Sequence, residues 1–184
     1  MEIILSLDYS ILRLIADHLV NDALTVVMRL ITSLGNGGMI WILIAFLCML
    51  RPSTRRCGIS MLGALLLSLL IGNCLIKPLV ARPRPFQQYA DLAPLIAPPG
   101  EFSFPSGHSS SSFAAAAAFF LHHKKAGTAA LVLAALIAFS RLYVCVHFPS
   151  DVLCGSLLGI LLGIAAFKLV NELCDHIHFS RLKR

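Results

Sequence analysis

The sequence predicts an all-α fold, a polytopic membrane helix bundle with five or six transmembrane helices and an N-terminal amphipathic helix. Of the 184 residues, 58% are hydrophobic and only 13% are charged, against about 25% charged residues in an average soluble domain. The mean hydropathy is +0.83, and the apolar residues come in blocks close to the length of a bilayer-spanning helix, about 20 residues. This composition cannot supply the polar shell of a cytosolic globule. We therefore expect a single membrane-embedded domain over residues 1–184.

The first 34 residues predict helices whose relation to the bilayer stays open. Residues 3–19 carry apolar positions at helical spacing, which favours an amphipathic helix at the membrane surface over a span. Residues 22–34 are similar but more apolar, and a glycine-rich break follows at 35–38. The first span is predicted at about 36–50.

Four further spans are predicted at about 57–79, 107–121, 126–146 and 151–170. The stretch 81–105 holds six of the nine prolines, so it is predicted to be an ordered loop rather than a helix. Glycines recur every four residues at Gly155, Gly159 and Gly163, and Ala114–Ala118 offer a second surface of small residues. Both patterns predict close helix packing in a compact bundle.

The charge distribution predicts which side each loop faces. The net charge is +6, but the basic residues lie in short clusters between apolar blocks, which is typical of cytoplasmic loops and not of a nucleic-acid-binding surface. These clusters are Arg51, Arg55 and Arg56; Lys124 and Lys125; and Arg181, Lys183 and Arg184. The loop 81–105 is then extracytoplasmic, in a multi-pass protein of the cell membrane. Arg82 by itself is interpreted as an interfacial anchor.

With this topology, seven polar residues from four segments meet at the extracytoplasmic face of the membrane. Such a group of polar residues within membrane segments is rare unless the residues have a function. Lys77, Arg84 and Arg141 contribute three cations, and the helix start at Ser106-Gly107 adds backbone N–H groups that favour an anion. Together they predict a site of phosphate size. The seven residues are Lys77, Arg84, Ser106, His108, Arg141, His147 and Asp151.

Two histidines give this site its chemistry. Asp151 lies four positions after His147 and can fix its tautomer, leaving the other ring nitrogen as base or nucleophile. His108 is a second imidazole that could protonate a leaving oxygen. These residues alone leave open which histidine attacks. The sequence has no cluster of carboxylates that would indicate a metal site. The cations can take over the electrostatic role of a metal ion and stabilise the charge on the phosphoryl group.

The same residues form a three-part pattern that resembles a known family signature. Its parts are Lys77 with Arg84-Pro85, then Pro105-Ser106-Gly107-His108, then Ser140-Arg141 with His147 and Asp151. The pattern resembles the type 2 phosphatidic acid phosphatase superfamily, which also includes vanadium haloperoxidases and acid phosphatases. The stretch TSLGNGG at 32–38 is similar to small bacterial members.

The resemblance implies a role for each matched residue. Lys77, Arg84, Ser106, Gly107 and Arg141 would hold the phosphate oxygens. His147 would be the nucleophile that forms a phosphohistidine, Asp151 would orient it, and His108 would protonate the leaving group. The resemblance implies a reaction that needs neither a metal nor another cofactor. Ser140 either contacts phosphate or forms a hydrogen bond within the bundle.

The expected substrate is a lipid phosphate, and undecaprenyl diphosphate is favoured by the small size of the chain. Phosphatidylglycerophosphate, phosphatidate and lipid A phosphate are the alternatives. A transporter that uses the same charged residues is the alternative from another class. Aromatic residues in the loop 86–104 either form an entrance for lipid or cap the bundle.

Overall fold

The computed structural model describes the backbone of residues 2–182 and the side chains of residues 2–176. Over that range it is helical and contains no strand, which confirms the predicted all-α class. The elements in chain order are α1 (Glu2–His18), α2 (Asp22–Leu34), a 3-10 turn (Asn36–Gly38), α3 (Met39–Met49), α4 (Arg55–Leu67), a π-helix (Ser68–Ile76), α5 (Lys77–Val80), α6 (Pro85–Gln88), α7 (Gly107–His122), α8 (Lys124–Tyr143) and α9 (Pro149–Leu182).

Helix α7 is the centre of the bundle, and it packs against α4, α8 and α9. Its alanine run, Ala114–Ala118, is buried. The glycines of α9 lie against the same helix: a Cβ added to Gly155 would lie 2.7 Å from the Ser106 carbonyl oxygen, and one added to Gly163 would lie 2.5 Å from the carbonyl oxygen of Ala114. The two predicted small-residue surfaces therefore face each other, and their lack of side chains permits this close approach.

Within the part of the chain that the structure describes, three helical segments are long and apolar enough to cross a membrane, namely Arg55–Gln88, Lys124–Tyr143 and Pro149–His176. Helices α2 and α3 form a pair bent by 49° at the glycine-rich break, and they count as a fourth candidate if they form one broken span. The first predicted span, 36–50, thus corresponds to the 3-10 turn and α3. The predicted total of five or six spans stays a prediction.

Helix α1 packs against α8 and α9 through the face that contains Asp8, Leu12 and Ile15. Most of its other apolar residues are exposed, as expected of an amphipathic helix whose remaining apolar surface contacts lipid. The stretch 81–105 is irregular except for the single turn α6, in agreement with its proline content. The side chains of the C-terminal basic cluster, Arg181, Lys183 and Arg184, lie outside the described residues.

The second predicted span is not a uniform α-helix. Residues Ser68–Ile76 form a π-helix between α4 and α5. Such segments are rare and are frequently found at functional sites. Here the wider turn directs Asn73 towards the first turn of α7, where a Cβ added to Gly107 would lie 2.9 Å from the Asn73 Oδ1. The apolar composition of the segment gave no sign of this change in helix type.

Candidate active site

The predicted polar residues meet at one cavity of about 770 Å³ at one end of the bundle. Six residues predicted for the site line it, contributed by α5, the loop before α6, α7, α8 and the connection between α8 and α9. Those six are Lys77, Arg84, Gly107, His108, Arg141 and His147. The other two predicted residues, Ser106 and Asp151, do not line the cavity and lie behind it.

The cavity is strongly cationic. Lys77, Arg84, Arg141 and Arg29 line it, against a single carboxylate, Glu101. Arg84 is 2% exposed and Arg141 is 3% exposed. Cations buried to this degree interact strongly with an anion, because little water screens them. The cavity is therefore suited to a multiply charged anion such as a phosphate group.

Arg84 is held rigidly by main-chain carbonyl oxygens. Its Nε donates to the main-chain oxygen of Glu101 at 2.7 Å, and its Nη1 donates to the main-chain oxygen of Val146 at 2.7 Å. The same Nη1 lies 3.2 Å from Nε2 of His147. Because a guanidinium can only donate, this contact requires a lone pair on Nε2, and the proton of a neutral His147 ring is then on Nδ1.

His147 is buried, and its Nδ1 faces Asp151. The distance from Nδ1 to the Asp151 Oδ2 is 3.7 Å, and the Ser103 hydroxyl lies 3.4 Å from the same nitrogen. Burial lowers the pKa of His147 to about 4, although Asp151 acts in the opposite direction. The imidazole is therefore neutral at neutral pH, and its Nε2 lone pair, which accepts from Arg84 in this structure, lies at the cavity wall.

Two of the cations have capacity left for a ligand. Arg141 donates from Nη1 to the Thr32 hydroxyl at 2.6 Å, but its buried Nε has no hydrogen-bond partner among the described residues. Lys77 binds Glu101 with an Nζ–Oε2 distance of 2.8 Å, and this bond lowers the pKa of the Glu101 carboxyl group. The Glu101 side chain is 69% exposed, so an anion with more charge can replace it.

His108 lies at the start of α7 and lines the cavity next to the Asn36 amide. Its Nε2 is 3.0 Å from the Asn36 Oδ1. Since an amide oxygen only accepts, Nε2 carries the proton in this arrangement. His108 therefore presents an N–H group, which suits a proton donor better than a nucleophile. The close approach of α7 to the glycine-rich break needs Gly35, where an added Cβ would lie 2.7 Å from the His108 ring.

Ser106 caps α7 rather than facing the cavity. Its hydroxyl accepts from the Ser109 hydroxyl at 2.9 Å and from the Ser109 N–H at 3.4 Å. Its own N–H donates to the Asp151 carbonyl oxygen at 3.1 Å. The residue thus fixes the helix start next to Gly107 and His108. Ser140 forms a hydrogen bond to the Ile137 oxygen within α8, which fits the second of its two predicted roles.

Sequence reasoning missed several residues that position the site. Thr32 binds Arg141, Asn36 binds His108, and Ser103 binds Asp151 at 2.5 Å. Arg82 was interpreted as an interfacial anchor, and this is wrong: its Nη1 donates to Asp151 Oδ1 at 2.6 Å. The fifth missed residue is Asp8 of α1, which binds the other side of the Arg82 guanidinium at 2.7 Å.

Apolar side chains of α3, α4 and the π-helix also line the cavity and form an apolar wall. This wall consists of Ile42, Leu62, Leu65, Leu66 and Leu69. The aromatic residues of the loop 86–104 have a different position. Tyr89 packs on Tyr9 with ring centroids 4.6 Å apart and on Phe148 at 6.3 Å, so it caps the bundle rather than lining the cavity.

Among the described residues there is no group of three or more His, Cys, Asp or Glu side chains that could hold a metal ion. The six cysteines are unpaired. The polar groups that could act on a ligand are thus the cations, the two histidines and the hydrogen-bonding groups around them.

A sequence model described as the PAP2 superfamily matches residues 58–174, a range that contains every residue predicted for the site. Two curated relatives are similar to the chain. An undecaprenyl-diphosphatase of Sulfolobus acidocaldarius is 32% identical over 122 residues, 65% of this chain. The undecaprenyl-diphosphatase BcrC of Bacillus subtilis is 29% identical over 104 residues, 56% of this chain. The matches span 58% and 53% of the lengths of these relatives.

Two solved structures share the fold over most of the chain. A transmembrane PAP2-type phosphatidylglycerolphosphate phosphatase from Bacillus subtilis superposes with a TM-score of 0.75 at 31% identity, covering 96% of this chain and 89% of that one. LpxE of Aquifex aeolicus superposes with a TM-score of 0.74 at 30% identity, covering 88% of this chain and 95% of the other.

Proposed function

This chain belongs to the PAP2 superfamily, and from that premise we propose that it is a membrane lipid phosphatase that removes the terminal phosphate of undecaprenyl diphosphate through a phosphohistidine. The observation that carries the proposal is the position of His147. Its Nε2 lone pair faces the one cavity in which Lys77, Arg84 and Arg141 converge. A nucleophile surrounded by cations, with a proton donor lining the same cavity, is suited to phosphoryl transfer.

The reaction has two steps. In the first, the His147 Nε2 forms a bond to phosphorus while the bond from phosphorus to the leaving oxygen breaks, and His108 gives its Nε2 proton to that oxygen. In the second, water attacks the phosphohistidine, His108 takes a proton from that water, and the phosphorus–nitrogen bond breaks. Phosphate is released and His147 is neutral again. Lys77, Arg84 and Arg141 stabilise the charge on the phosphoryl oxygens in both steps.

Binding of the phosphate group changes the contacts of Lys77. In the free protein Lys77 is bound to Glu101, and the incoming phosphate replaces this carboxylate. Arg84 keeps its three main-chain acceptors, while its Nη1–H contact with the His147 Nε2 breaks so that this nitrogen can attack. The backbone at Gly107 and the Arg141 Nε are the remaining donors. The proposed mechanism uses no metal ion, since these cations supply the electrostatic stabilisation.

The apolar wall supports a lipid substrate. A ligand phosphate among the cations would have its tail directed along the apolar wall, towards the surface of α3 and α4 that would face lipid. The choice of undecaprenyl diphosphate rests on the names of the two curated relatives. Phosphatidylglycerophosphate and lipid A phosphates are the alternatives, and the two solved relatives make these worth testing.

The first test is phosphate release by the detergent-purified protein in EDTA. Undecaprenyl diphosphate, phosphatidylglycerophosphate, phosphatidate and lipid A diphosphate are compared at equal surface concentration. We expect release from undecaprenyl diphosphate with the highest kcat/KM, and equal rates with and without EDTA. Comparable rates on all four lipids would contradict the assignment of undecaprenyl diphosphate as the substrate, while the assignment of the protein as a lipid phosphatase would stand. Loss of activity in EDTA that added metal restores would contradict the metal-free mechanism.

We also propose that the cavity opens on the extracytoplasmic side of the cell membrane. The test uses a Gln88→Cys variant in a background in which the exposed Cys74 and Cys154 are replaced by alanine. Gln88 is exposed in the loop 81–105, and Lys125→Cys at the opposite end of the bundle is the matched control. In intact cells an impermeant maleimide is expected to label Gln88→Cys and to leave Lys125→Cys unlabelled. The reverse pattern would invert the topology.

A further inference from the structure

Asp151 has more partners than its neighbour His147. Its Oδ2 accepts hydrogen bonds from the Ser103 hydroxyl at 2.5 Å and from the Phe148 N–H at 2.9 Å. Its Oδ1 accepts from Arg82 Nη1 at 2.6 Å. The carboxylate is fully buried. Its orientation towards His147 is therefore set by groups that are not among the residues predicted for the site.

Arg82 connects Asp151 to a second buried carboxylate. Its Nη2 donates to Asp8 Oδ2 at 2.7 Å, and Nη1 also reaches the Ser150 hydroxyl at 2.7 Å. Asp8 in turn accepts from the Ser150 N–H at 2.9 Å and from its hydroxyl at 2.5 Å. The Cζ of the guanidinium lies over Phe148, 4.0 Å from the ring centroid. Arg82 thus lies between a carboxylate of α1 and a carboxylate of α9.

Burial makes this arrangement strong and costly to disrupt. The Arg82 side chain is 14% exposed and the Asp8 side chain is 4% exposed, whereas an interfacial anchor would extend into water. A buried carboxylate without a cation is strongly unfavourable. The Arg82 guanidinium binds both carboxylates and partly neutralises each of them. The electrostatic effect of Asp151 on His147 therefore depends on how strongly Arg82 binds Asp151 relative to Asp8.

We propose that Arg82 and Asp8 are positioning residues that set the orientation and effective charge of Asp151, and through it the basicity of His147. Helix α1 then contributes a positioning residue and is not only a surface helix. The inference rests on the proposed function, which assigns His147 as the nucleophile. It also makes a statement about His147 that can be measured without turnover.

The experiment compares Arg82→Met, Arg82→Lys and Asp8→Asn with two matched controls from α1. Arg13 and Asp17 form an exposed pair at 3.2 Å, so Arg13→Met and Asp17→Asn repeat the same substitutions away from the site. Two quantities are measured on the full chain in detergent. One is kcat and KM for phosphate release from the proposed substrate; the other is the pKa of His147, from NMR titration of ¹³C-labelled histidine, assigned with His147→Gln.

For Arg82→Met, we expect kcat to fall roughly 10-fold to 100-fold, while KM stays within about threefold. The loss in kcat has the size seen when the hydrogen-bond partner that orients a metal-binding side chain is removed. The pKa of His147 should rise by about one unit, because Asp151 loses the cation that partly neutralises it. Arg82→Lys keeps the charge and should restore most of kcat and the lower pKa. Asp8→Asn should shift the pKa slightly downward, since Arg82 then binds Asp151 alone.

These opposite shifts separate positioning from simple loss of structure, which would not move one pKa in two directions. The other titratable groups that face His147 are unchanged in these variants, namely Arg84, Arg141, His108 and Glu101. Two results would overturn the inference: a His147 pKa that is the same in all variants, or a kcat loss in Arg13→Met equal to that in Arg82→Met. If the wild type releases no phosphate from any lipid but the two shifts are seen, the proposed function fails and the positioning role of Arg82 and Asp8 stands.

Discussion

The substitution His147→Gln is expected to reduce phosphate release at least about 10⁴-fold, the scale on which removal of a catalytic nucleophile acts. Nε2 of His147 is the nitrogen that accepts from Arg84 and faces the cations. Nε2 of His108, in contrast, carries a proton that it donates to Asn36. Glutamine keeps a similar shape and an amide able to bond the same neighbours, so the loss reports the nucleophile and not a collapsed site.

The covalent intermediate distinguishes the two histidines directly. Substrate labelled with ³²P at its terminal phosphate is mixed with enzyme and quenched in alkali, in which a phosphohistidine is stable. We expect labelled protein from the wild type, label that is lost in acid, and no labelled protein from His147→Gln. His18→Gln, an exposed histidine of α1, is the matched control. The opposite result would be a folded His147→Gln protein that still becomes labelled and a His108→Gln protein that does not. It would make His108 the nucleophile and His147 the proton donor.

The sequence was sufficient to predict the helical class and the cavity-lining residues, because both depend on local patterns. Composition and block length indicated helices in lipid. His147 and Asp151 are four positions apart around the start of α9, so their spacing brings them close. Lys77 and Arg84 were recognised from the three-part pattern, since Arg84 lies in irregular chain after α5 and is held by distant main-chain oxygens. The glycines of α9 predicted close packing for a similar reason, since one small residue per turn leaves a groove along one face.

The residues that support the site were not predictable in this way, because their partners are distant in the sequence. Asp8 and Arg82 are 74 positions apart, and Thr32 and Arg141 are 109 positions apart. One signal was present for Asp8. It shares a helix face with Leu12 and Ile15, the buried residues of α1, and a carboxylate on a buried face requires a cation partner. That pattern indicates that a partner exists, but not which of the cations it is.

The π-helix and the role of Asn36 also depend on tertiary structure. The apolar residues of Ser68–Ile76 fit an α-helix equally well. In the structure this segment packs against α7, where the Ser68 and Ser110 hydroxyls share a hydrogen bond. Asn36 was recognised as part of a glycine-rich break. Its contact with His108 arises because the bend between α2 and α3 brings this break to the start of α7.

The substitution His108→Gln is expected to give the second largest loss, and its size should depend on the leaving group. A general acid contributes roughly 10²-fold to 10⁴-fold, and it matters most when the departing oxygen is strongly basic. A lipid monophosphate must release an alkoxide, whereas a lipid diphosphate releases a weakly basic phosphate ester. We therefore expect a loss near the upper end of this range for a polyprenyl monophosphate, and a smaller loss for the diphosphate with the same tail.

The measurement is a single-turnover comparison of the two substrates with wild type, His108→Gln and the control His123→Gln. Because His108 also takes a proton from the attacking water, the variant should accumulate phosphohistidine from the diphosphate, in which the first step needs little acid. Equal losses on both substrates without accumulated intermediate would contradict the acid–base role. Such a result would leave His108 as a group that orders Asn36 and the start of α7, and water or the lipid itself would have to supply the proton.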